Sequence, residues 1–222
     1  MKFLHGCDSP FVVAAHAAAL RRRGIDFVMR RYSRDPLSNL EAAEARRLSD
    51  AGLRIGALWA DCPATGLLSR CQGLLDGAEA LRLARAAGQP SGSAIYIALR
   101  ESAVSSDIDG SLKQYLAGIR AAFAGGAGYR VGVRGSHAWC AGLVDRGLAA
   151  LSWLAPSPPE AVAARHDLLQ WPAARLVLDG AELRLAPVLA QPGRDPGLFQ
   201  LSSGTHGDAW PASFHAADHG GV

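Results

Sequence analysis

Short apolar runs rich in β-branched and aromatic residues alternate with amphipathic stretches along most of the chain. That alternation confines it to folds in which helices cover a parallel sheet. Strands are expected over Lys2–Cys7, Ile25–Tyr32, Leu53–Ala60, Ala94–Leu99, Tyr129–Arg134, Ala149–Leu154, Asp167–Trp171 and Ala181–Leu189. Helices are expected over Pro10–Arg23, ending at Gly24, and over Asn39–Ala51 behind Ser38 as N-cap. Three more are expected over Gly77–Ala87, Ser111–Phe123 and Trp139–Arg146. Parallel neighbours joined by right-handed crossovers, eight strands in all, predict an α/β fold: a closed single-domain (β/α)8 TIM-type barrel over residues 1–190. Residues 191–222, rich in Gly, Pro, Ser and His, read as an irregular C-terminal tail. The alternative is a doubly wound open sheet, against which stands the lack of a G-x-G-x-x-G fingerprint after the first strand.

Composition removes several function classes. Of 23 basic residues only Lys2 and Lys113 are lysines, the net charge is +3, and no basic stripe interleaves with aromatics. No nucleic-acid partner is therefore expected. The apolar run Phe11–Leu20 is too short to span a bilayer, so no membrane insertion is expected. "MKFLHGCD" opens as a strand and not as a signal peptide, which points to a cytoplasmic protein or one exported by a leaderless route. Cys7, Cys62, Cys71 and Cys140 lack zinc spacing and read as small buried hydrophobes, with a Cys62–Cys71 disulfide as the alternative. His206, Asp208, His215, Asp218 and His219 of the tail, and His5 near Asp8, show no metal-binding spacing. No metal and no cofactor is expected. Ser136 beside His137 is a pair of loop neighbours, and no G-x-S-x-G elbow is present.

The stretch "SGSAIYIALRES" (Ser91–Ser102) reads as a buried strand that ends abruptly in polar residues. The C-terminal ends of buried parallel strands are where barrels keep their chemistry. Side chains alternate along a strand, so if Tyr96 and Ala98 face the barrel interior, Arg100 and Ser102 do too, while Glu101 points away unless the strand breaks.

The segments "GIDFVMRRYS", "LEAAEARRLSDAGLRIGALW", "DGAEALRLARAAGQPSGSAIYIAL", "YRVGVRG" and "LSWLA", in that order, resemble the bacterial glycoside-hydrolase-like barrels known as domain of unknown function 1906. These are similar in turn to the lysozyme-type glycoside hydrolases of family 25. The resemblance covers residues 1 to about 190. It implies a barrel with its pocket at the strand C-termini and a peptidoglycan-like bacterial glycan as ligand. Asp8 matches the family's acid after strand one, and Arg30 and Tyr32 match its Arg and Tyr on strand two. On strand four the family pattern resembles "IYFAVD" with a second acid two positions on. Here those positions hold Arg100 and Ser102, with Glu101 one position out of phase.

Glycoside hydrolysis needs two carboxylates, about 5–5.5 Å apart for retention and about 6.5–9.5 Å for inversion. Asp8, Glu101 and Asp61 are the candidate catalytic acids. Asp8 also fits an N-cap before Pro10, and Asp61 a solvated loop acid. Arg30 and Arg100 suit either an anionic group on the ligand or ion pairs that close the mouth. Trp59, Tyr96, Trp153 and Trp171 lie on strands or their ends, where they serve either as sugar platforms or as core. Glu182 falls at the start of the eighth strand, the wrong end in a parallel barrel, and neither it nor Arg184 is taken as a site residue. Two functions remain: a muramidase-like hydrolase of cell-wall glycan weakened by the replacement at Arg100, or an inactive barrel that binds carbohydrate or anionic sugar. A barrel enzyme of another class is a third and lesser reading.

Overall fold

The computed structural model describes residues 2–63, 67–99, 108–125, 128–156 and 166–202. Seven parallel strands run in sequence order: β1 (Leu4–Asp8), β2 (Phe27–Tyr32), β3 (Arg54–Trp59), β4 (Ala94–Ala98), β5 (Arg130–Gly135), β6 (Leu151–Leu154) and β7 (Leu168–Gln170). A hairpin follows, β8 (Ala174–Leu178) and β9 (Ala181–Ala190). The C-terminal half of β9 pairs antiparallel with both β7 and β1, so the sheet closes into an eight-strand barrel with β8 outside the wall. Outside it lie α1 (Ala17–Arg22), α2 (Ala42–Asp50), α3 (Arg70–Ala86), α4 (Ser111–Ala124) and α5 (His137–Asp145).

The closed mixed α/β barrel agrees with the sequence expectation, but the strict eightfold strand–helix repeat does not carry through its last quarter. The expected eighth strand exists, yet it runs antiparallel because a hairpin precedes it where a crossover was expected. Asp179 and Gly180 make its two-residue turn, at φ 48° and 82°. An Asp-Gly pair adopts those angles at little cost. The reversal moves the start of β9, with Glu182 and Arg184, to the end of the barrel where β1 and β7 finish.

The wall has two buried faces. Phe27, Met29, Leu58, Tyr96, Leu151, Trp153, Leu168 and Val188 fill the interior. Val28, Tyr32, Ile55, Trp59, Ile95, Ile97, Val133 and Leu154 pack outward beneath the helices. Small residues make room for large ones inside: a Cβ on Gly132 would collide with the Tyr96 ring, and one on Gly6 with Phe27. Residues 192–198 and Phe199–Leu201 close the N-terminal end. Gly197 accepts from the Ala94 amide, Pro196 accepts from Tyr96, Phe199 bridges to Ile55, and Leu198 reaches the interior cluster. The start of the expected tail thus has no regular structure but is packed into the fold. The four cysteines are free thiols, Cys62 and Cys71 included.

Candidate functional site

The C-terminal end of the barrel is its open mouth, and period-two alternation decides which side chains reach it. On β1 the inward series is Leu4, Gly6, Asp8; on β2 it is Phe27, Met29, Arg31. On β5 it is Gly132 and Arg134, on β6 Leu151 and Trp153, and on β7 Leu168 and Gln170. Each series ends in a polar or amphipathic group, and these groups meet.

Gln170 Nε2 donates to Asp8 Oδ2 at 3.3 Å, and Arg134 Nε donates to Gln170 Oε1 at 2.9 Å. Arg31 Nη2 lies 3.6 Å from the same Asp8 oxygen. The Arg134 guanidinium rests over the Trp153 ring, 5.1 Å from its centroid, and Trp153 meets Tyr96 edge-on at 5.8 Å. Three polar atoms of this set, Asp8 Oδ1, Arg31 Nε and Trp153 Nε1, are buried without a hydrogen-bond partner. Burial pushes the Asp8 carboxyl above its ordinary value, and the charges of Arg31 and Arg134 offset part of that rise. The arrangement gives one carboxylate that gains a proton more readily than a free aspartate, set between two guanidiniums.

The other sequence candidates separate cleanly. Asp8 reaches the mouth and caps nothing; its neighbour Ser9 makes the turn there, accepting from the Phe11 amide. Arg30 does not reach the mouth. It faces outward, fully buried, with Nε and Nη2 each 2.9 Å from a Glu44 oxygen and Nη1 donating to the Ser9 carbonyl. Tyr32 also faces outward and donates to Gln89, and Trp59 is core between β3 and the helices, under the Arg34 guanidinium. Tyr96 is interior but points to the closed end, donating to Pro196. Asp61 is held to the β2 loop, where its carboxylate accepts from the Arg34 amide. Arg34 in turn pairs with the buried Asp76 of α3. Trp171 follows β7 directly, beside Gln170, and stays 42% exposed. Arg100 and Glu101 lie outside the described residues.

Sequence reasoning missed Arg31, Arg134 and Gln170. In the structure each continues the inward series of its own strand, and Arg31 lies two residues beyond Met29, the position that pairs with Asp8. Among the described residues, no group of three or more His, Cys, Asp or Glu that could hold a metal ion occurs, and no helix is long and apolar enough to cross a membrane. Burial pushes the Cys7 and Cys140 thiols up to about 12, which leaves them inert as nucleophiles at neutral pH.

The family described as Rv2525c-like, glycoside hydrolase-like domain matches residues 18–217. No curated protein matches the chain by sequence. Among solved structures, the Tat-secreted protein Rv2525c of Mycobacterium tuberculosis, in complex with L-tartrate, is similar at a TM-score of 0.70 and 19% identity, over 85% of this chain and 96% of that one. The modular autolysin LytC of Streptococcus pneumoniae, in complex with a synthetic peptidoglycan ligand, is similar at 0.61 and 11% identity, over 84% of this chain and 46% of that one. GHIP, a glycosyl hydrolase 25 of Streptococcus pneumoniae, is similar at 0.57 and 11% identity, over 87% of this chain and 89% of that one. At these identities the likeness is one of fold alone.

Proposed function

The chain belongs to the family of Rv2525c-like, glycoside hydrolase-like domains, and from that premise we propose that its barrel mouth binds an acidic glycan of the bacterial cell wall. One observation carries the reading: Asp8 Oδ1, Arg31 Nε and Trp153 Nε1 are buried and unpartnered on the inward face. Each such atom costs on the order of 1–3 kcal/mol unless something answers it. One acceptor and two donors suit a ligand bearing hydroxyls. Arg31 and Arg134, the guanidiniums beside Asp8 among the described residues, suit a ligand that is also an anion, such as a sugar carrying the carboxylate of muramic acid.

In this reading Arg31 and Arg134 hold the ligand carboxylate, and Asp8 accepts from a sugar hydroxyl. Gln170, bonded to both Asp8 and Arg134, fixes their spacing. Trp171 offers its exposed ring to a sugar face at the rim. The L-tartrate in Rv2525c, a hydroxylated dicarboxylate, and the peptidoglycan ligand of LytC agree with this ligand chemistry. The reading also sets the working protein outside the cytoplasmic membrane, where that glycan lies.

A second reading, hydrolysis, is favoured by one observation: burial raises the Asp8 carboxyl, the direction a general acid needs. Glu101 on the segment after β4 would supply the second carboxylate. Asp61, bound by the Arg34 amide, is the less suited candidate. Co-sedimentation with purified peptidoglycan tests the first reading. Wild type is retained and Arg134→Ala is not; equal retention of both sinks it. Release of reducing sugar by wild type, abolished in Asp8→Asn and Glu101→Gln, would decide for hydrolysis. Retention without release decides for binding.

A further inference from the structure

The β8–β9 hairpin stands beyond the mouth. β1 ends at Asp8, opposite Ala186, and β7 ends at Gln170, opposite Val188. Residues Ala181–Leu185 precede that register and pair only with β8, so they overhang the rim. Leu176, Leu178, Leu183 and Leu185 pack onto the helix-side core. The opposite face, continuous with inward Ala186 and Val188, carries Arg175, Val177, Glu182 and Arg184.

Arg175 and Arg184 are direct cross-strand partners and both are exposed. Like charges placed opposite one another weaken a sheet. Glu182 answers only one of them, at 3.2 Å from Arg175 Nη1; Arg184 has no ion pair among the described residues. Two more guanidiniums, Arg31 and Arg134, line the mouth.

We infer that Arg175 and Arg184 form a second anion subsite, which takes a further carboxylate of a polymeric acidic glycan whose first carboxylate sits between Arg31 and Arg134. The inference rests on the proposed glycan reading and adds to it that the ligand is a chain with repeated carboxylates. Two tethered carboxylates bind as one bivalent ligand, so affinity rises with chain length.

The experiment titrates denuded peptidoglycan strands, with free lactyl carboxylates, as disaccharide, tetrasaccharide and hexasaccharide. Wild type should bind the longer strands at least about 10-fold more tightly than the disaccharide. Arg175→Ala/Arg184→Ala should lose that gain and keep the disaccharide affinity. Arg184→Lys should keep most of the gain. A length gain that survives in the double variant overturns the inference, as does wild type binding all lengths equally. If wild type binds no strand at all, the glycan reading falls and this inference with it. The exposed positions of both arginines keep folding out of the result, and a thermal melt of the double variant confirms that.

Discussion

Arg30 and Arg31 are chain neighbours on one strand, and they do opposite work. Arg30 faces the helices and has every contact answered: a two-pronged ion pair with Glu44 and a bond to the Ser9 carbonyl. Arg31 faces the barrel, loosely placed 3.6 Å from Asp8, with its Nε unanswered. Trp59 and Trp153 differ in place and not in hydrogen bonding. Both indole N–H groups are buried and unpartnered, but Trp59 lies in the outer core and Trp153 lies under Arg134 in the barrel. At Arg30 the outer face answers its buried charge, while the inner face leaves Asp8 Oδ1 and Arg31 Nε unanswered. One unanswered polar atom marks no site, as Trp59 shows; at the mouth three of them lie together on Asp8, Arg31 and Trp153.

Breaking the outer face should give the largest effect. Arg30→Ala strands Glu44, which is also the acceptor for the Val13 amide, and should cost about 3–5 kcal/mol in chemical denaturation. Arg31→Ala should cost under about 1 kcal/mol by the same measurement, because its ion pair is long and part-exposed. The next largest effect is on binding. Arg134→Ala should weaken association with an acidic disaccharide by roughly 10- to 100-fold, the worth of a lost charge-assisted bond, with stability nearly unchanged. Equal stability losses at Arg30 and Arg31 would erase the contrast.

Much of the fold was legible because strands and helices announce themselves by different periods. The parity of β2 was not. "FVMRRY" is apolar on both faces for its first three residues, as buried parallel strands are, so nothing in it tells Arg30 from Arg31. Matching to a family pattern favoured Arg30, and the packing of Phe27 and Met29 inside the barrel decides for Arg31. The antiparallel closing strand was legible and was passed over. "RLVLDGAELRL" is alternating apolar sequence around Asp-Gly, a strong hairpin signal, but the repeat of strand–helix units favoured another parallel strand. Arg134 and Gln170 needed the barrel's curvature, since they lie 36 residues apart and meet only when β5, β6 and β7 curl round the mouth.

Two smaller effects sharpen the comparison. Asp8 is a carboxyl whose folded value is raised above 3.8, so its ionisation opposes folding. Below pH 3.8 it is protonated folded and unfolded alike, and as pH climbs through the folded value the native state loses stability. Asp8→Asn should therefore melt higher than wild type at neutral pH, with the gap closing in acid. A lower melting temperature at neutral pH would contradict the role of burial. Trp171→Ala, at an exposed position, should leave the melting curve unmoved and weaken glycan association by less than about 10-fold.

The most direct test of the inner face uses the two buried indoles. Nitrogen-15 spectra of the five tryptophan N–H groups, assigned with Trp153→Phe and Trp59→Phe, are recorded while a muramic-acid disaccharide is added. The Trp153 resonance should move in proportion to occupancy while Trp59 stays in place. A Trp153 signal that does not respond, or one that moves no more than Trp59, would contradict the account.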